Sequence, residues 1–237
     1  MKGPLSDYTD RLVSLAKEMQ KDPRIRVGLR FEKPLDGAKL EKLAASWKVD
    51  AFSPALANLY SQANGFVFVW VSTHHPDYSQ VIDAADGLWD LLCSPSIPTS
   101  SGRHPNPHDV ECLHQSVPFG MICLLPLEKA LKKGSGFIDY THGSFDGSSE
   151  ANGVDWQTKD IRVFDYASTY SPVGFLMAEG VSDPTLAVGS DHGAGWEIAK
   201  VDFAGYMEGL LASQGRIDAR PAMAGGGELP GGYEEQL

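Results

Sequence analysis

The sequence predicts an α+β fold: a single domain with a mostly antiparallel sheet, flanked by N-terminal helices and a closing C-terminal helix. Two observations carry this. Apolar residues recur at helical spacing through much of the first third of the chain. Short β-branched and aromatic runs, separated by turn residues, crowd the last third. Helix patterns followed by strand patterns favour α+β over a parallel sheet with crossover helices.

Residues 1–6 read as a short leader. Tyr8, Leu12, Leu15, Ala16 and Met19 share one face of a first helix over about residues 7–20. Asp22-Pro23 closes it, because proline disfavours a helical residue before it. Residues 24–31, RIRVGLRF, alternate basic and apolar side chains and read as an edge strand guarded by charge. Leu40, Leu43, Ala44 and Trp47 mark a second short helix.

Residues 52–71, FSPALANLYSQANGFVFVWV, form the best-defined unit. Ser53 is a good N-cap and Pro54 suits the first helical position. Leu56, Leu59, Tyr60 and Ala63 lie on one face, and Asn64-Gly65 is expected to supply a left-handed stop. Phe66, Val67, Phe68, Val69, Trp70 and Val71 then leave no polar side for water, as in a strand buried on both faces. This stretch is committed to the core, so acidic loops on the far side of the sheet are the expected contact region.

Tyr78, Val81, Ile82, Ala85, Leu88, Trp89 and Leu92 are spaced as in a further helix. Residues 94–118 are rich in proline and serine and read as a surface loop or insertion. A short apolar run over 121–127 leads into a helix at 128–133, and 134–155 reads as a second loop. Residues 161–165, 173–179 and 185–190 read as strands, with 193–199 a candidate fourth. Asp202 caps the closing helix, which carries Phe203, Tyr206, Met207, Leu210 and Leu211 on one face and stops at Gly215. Residues 1–219 are thus one domain, and 220–237, rich in glycine and proline, read as a flexible tail.

The 237 residues suffice for a full core, and the 42% hydrophobic content is ordinary for a globular chain. No apolar run reaches the ~20 residues that span a bilayer, and the charged N-terminus lacks a signal-peptide core. Three cysteines at irregular spacing argue against a disulfide framework. A cytoplasmic location is expected. The formal charge of −11 disfavours nucleic acid and anionic membranes and favours basic partners.

Motif chemistry is sparse. His104, His108, Cys112 and His114 are possible zinc ligands, but Pro105 and Pro107 prevent a helix from setting their spacing. They read as loop residues, and no metal site is assigned. Asp146, Ser148, Glu150 and Asn152 alternate like calcium ligands, without the turn glycine and the terminal bidentate glutamate. Asp191-His192 has no nucleophile elbow to serve. No phosphate-binding glycine loop is present. Neither a catalytic residue nor a cofactor is assigned.

Three stretches together resemble the SUKH superfamily, a group named in part after a yeast cell-wall assembly regulator. They are the Pro-started helix that ends in Asn-Gly, SPALANLYSQANGF; the apolar strand that runs into a short charged helix, MICLLPLEKALKK; and the closing strands and helix, IRVFD through VDFAGYMEGLL. They cover roughly residues 40–214. The chain departs from the pattern in the long segment before MICLLPL, and in Asp165-Tyr166-Ala167-Ser168, which stands in place of a glycine-aspartate cluster. The resemblance implies an α+β domain without catalysis. In bacteria such domains are typically immunity proteins that bind and block a toxin delivered between cells. The partner expected here is a basic cognate toxin, for example a nuclease or deaminase acting in the cytosol. Candidate partner contacts are loop acids and aromatics expected to be exposed: Asp139, Tyr140, Asp146, Trp156, Asp165, Tyr166, Asp183 and Asp191. The alternatives are a regulatory adaptor that recruits a host protein, and a metal-dependent hydrolase using the histidine-rich insertion.

Overall fold

The structure, a computed structural model, describes residues 3–79, 118–132, 148–151, 154–157, 161–167, 171–176, 178, 180–190 and 195–237. Seven strands form one antiparallel sheet: β1 (Ile25–Phe31), β2 (Phe66–Ser72), β3 (Phe119–Leu124), β6 (Ile161–Asp165), β7 (Val173–Leu176), β8 (Thr185–Ser190) and β9 (Gly195–Ile198), in that spatial order. A separate hairpin, β4 (Ser148–Ala151) and β5 (Val154–Gln157), lies between β3 and β6 in the chain. The fold is therefore α+β, with helices at both termini of the chain. Among the described residues, no helix is long and apolar enough to cross a membrane.

The helices follow from spacing and caps. In α1 (Tyr8–Met19), Tyr8, Leu12, Ala16 and Met19 point into the core. In α2 (Gly37–Ser46), capped by Asp36, only Ala44 is fully buried. In α3 (Pro54–Gln62), the Ser53 side chain accepts from the Leu56 N–H, and Leu56, Leu59 and Tyr60 are buried. A single turn, α4 (Leu127–Ala130), follows β3. The closing helix, α5 (Phe203–Ala212), is capped by Asp202 and buries Phe203, Tyr206, Met207 and Leu210.

The helix side of the sheet holds the main core. Phe66, Phe68 and Trp70 on β2 pack there with Leu29, Ile122, Leu124, Phe164 and Phe175. The opposite face is also closed to water. Val67, Val69, Val71, Met121 and Cys123 are buried there, with Tyr78 and Ile217 packed against them. This double burial is why β2 tolerates no polar residue before Ser72. β1 is an edge strand as expected, but Arg30 on it is buried, while Arg26 faces solvent.

Three expectations change. The segment 220–237 is not a free tail. Residues Ala219–Gly225 form α6, in which Arg220, Met223 and Ala224 are buried. A last 3-10 turn, Tyr233–Glu235, packs the Tyr233 ring 5.9 Å from Trp70. Glycines there shape the chain; they do not loosen it, because each end of the segment is anchored by a large side chain. Part of the 134–155 loop is strand: β4 pairs with β5 from Ser148 opposite Gln157 to Ala151 opposite Val154, the sequence between them being Asn152-Gly153. Asn-Gly between two strands is a sequence signal for such a hairpin. Finally, Gly65 alone takes the left-handed conformation, with φ +96°. Asn64 instead uses its side chain, accepting from Leu127 N–H and donating to Glu128, and so ties the end of α3 to α4. The helix expected over 78–92 and the insertion at 94–118 lie largely outside the described residues.

Candidate functional site

The most distinctive chemistry is a buried ionic cluster centred on Asp165. A register shift in the β6–β7 pairing between Val163 and Asp165 creates it. Such a bulge re-aims side chains, and both Phe164 and Asp165 meet the helix layer. Phe164 stacks on Phe175 at 4.0 Å and lies edge-on to Tyr206. Asp165 receives four donors. Arg220 Nε and Nη2 reach Oδ2 at 2.9 and 2.6 Å, and the Tyr206 hydroxyl reaches the same oxygen at 2.5 Å. The Cys123 N–H donates to Oδ1 at 3.1 Å. Arg220 also donates to the carbonyls of Met121 and Arg216.

Both charged side chains are fully closed off, each at 0% exposure. Burial opposes the Arg220 charge, but Asp165 and Tyr206 together outweigh it and hold the guanidinium pKa above its ordinary value. Burial, reinforced by the Asp165 charge, pushes the Tyr206 phenol well up. Burial also raises the Cys123 thiol, which keeps it from being a thiolate nucleophile. A fully buried acid that already accepts four core hydrogen bonds presents no face to a substrate. The cluster clamps β3, β6, α5 and α6 together, and that is what its geometry equips it to do.

The expected contact residues divide accordingly. Asp165 is in the core for the reason just given. Tyr166, also expected to be exposed, is buried, since its N–H continues the ladder to Cys123 and carries it into the sheet. Neither presents a surface to a partner. Trp156 falls on β5, opposite Ser149. Asp139, Tyr140, Asp146 and Asp191 lie outside the described residues, as does the histidine-rich segment 104–114. Asp183 is exposed, on the loop between β7 and β8. Its neighbour Ser182 accepts from the Ser53 N–H at 2.9 Å. That N–H is one of the unsatisfied donors at a helix start, so the loop docks on the beginning of α3.

This docking fixes where Asp183 lies. It sits beside the unit of residues 52–71, not across the sheet from it. Asp183 and Val181 on this loop are exposed, as are Asp50 and Ala51 in the segment just before α3. Asp50 is a surface acid that sequence reasoning missed. Nothing local in LAASWKVDAF marks it as a contact residue.

Two other surface features are modest. α1 and α5 border a shallow groove lined by Asp7, Asp10, Arg11, Ser14, Leu15 and Leu211. Arg11 makes a bidentate pair with Glu208 beside it, at 2.7 and 2.6 Å. Among the described residues, no three His, Cys, Asp or Glu side chains converge as a metal would require. Comparison with protein-family models, curated proteins and solved structures finds no match to this chain.

Proposed function

We propose that this chain is a non-catalytic, immunity-type protein that binds a bacterial toxin or effector and neutralises it by occlusion. The observation that carries the reading is a formal charge of −11 on an α+β chain whose most distinctive polar cluster is sealed in its core. Sealed polar groups serve the fold, which leaves the acidic surface as the feature with an outward use. An acidic binder associates quickly with a basic partner, because complementary charge raises the encounter rate. The SUKH-like stretches supply the class of partner, a basic toxin acting on phosphate-bearing or nucleobase substrates. Among the described acids, Asp183, on the loop that docks at the start of α3, and Asp50, exposed just before that helix, are the ones we assign to begin that contact.

Co-expression tests the reading. Cells carrying a toxin encoded beside this gene survive when the protein is present and die without it. A neighbouring product that is harmless, or a toxin that the protein neither binds nor blocks, overturns the proposal. A stable complex with a non-toxic host protein favours the adaptor role in its place. For a cognate basic toxin, exchanging Asp183 and Asp50 for lysine slows association several-fold at low salt. The difference shrinks as ionic strength rises, because surface charges are screened. Stopped-flow binding over a salt series measures both effects.

A further inference from the structure

We draw no further inference here: the strongest candidate, the shallow groove between α1 and α5 lined by Asp7, Asp10, Arg11, Ser14, Leu15 and Leu211, rests on a cluster of exposed carboxylates, and nothing in the structure shows what covers it.

Discussion

Asp165 and Arg220 each rely on the other. A buried charge that loses its partner is strongly destabilising, by roughly 3–5 kcal/mol, whereas removal of both charges is far milder. Arg220→Met therefore costs several-fold more stability than an ordinary core swap. Asp165→Asn added to it restores part of the loss, and urea unfolding of the two single variants and the double variant measures the coupling. The buried phenols give a pH prediction. Tyr8, Tyr60 and Tyr206 all have pKa values raised by burial first and nearby carboxylates second. Each holds its proton more tightly when folded than when unfolded. Their contribution to stability is complete below the unfolded value of about 10 and is lost as pH climbs from there towards the folded values. Ultraviolet titration should show these three phenols ionising only as the protein unfolds. Their early, reversible ionisation in the folded state would contradict the burial.

Three helices are capped by the residues that the sequence nominates or permits. Asp202 accepts from Gly205 at 2.7 Å, Asp36 accepts from Lys39 at 2.8 Å, and Ser53 accepts from Leu56 at 3.4 Å. Loss of a cap costs about 1 kcal/mol, but where that cost appears depends on packing. α5 is bound into the core by Phe203, Tyr206, Met207 and Leu210, so Asp202→Ala lowers global stability. α2 buries only Ala44, so Asp36→Ala speeds amide exchange over residues 37–46 with little change in the unfolding midpoint. At the α3–β2 junction, Gly65 has φ +96° and an added Cβ would lie 2.6 Å from the Leu124 carbonyl oxygen. Gly65→Ala is expected to destabilise by roughly 1–3 kcal/mol through backbone strain. An unchanged unfolding midpoint for this variant would show that the turn adapts.

At the scale of the molecule, the C-terminal segment is part of the core. The Gly215 carbonyl accepts from Met121 N–H at 2.7 Å, Arg220 neutralises Asp165, and Tyr233 donates to Asp22 while packing on Trp70. A chain ending after residue 215 leaves the Asp165 carboxylate buried without a cation. It should lose cooperative unfolding and near-ultraviolet dichroism. A chain ending after residue 227 keeps Arg220 and loses only the Tyr233 turn, so it remains cooperative with a lower midpoint. Equal behaviour of the two truncations would refute the role assigned to Arg220.

Much of this architecture was legible in local pattern. The amphipathic spacing of α1, α3 and α5, the caps Ser53 and Asp202, and the doubly apolar β2 follow from residue order, because helix and strand periods are local properties. The candidate contacts were less legible. Asp165 looked like a loop acid at a strand end, and Arg220 looked like part of a glycine-rich tail. Their pairing spans 55 residues and depends on a bulge that no local pattern announces. The same holds for the Asp183 loop, whose Ser182 carbonyl reaches the start of α3 only because a strand connection folds back onto it. The sequence by itself determined α1, α3, α5, the doubly apolar β2 and the acidity, since periodicity, caps and charge are local. The tertiary structure decided which charges face water and which are held in the core, since burial depends on partners far away in sequence.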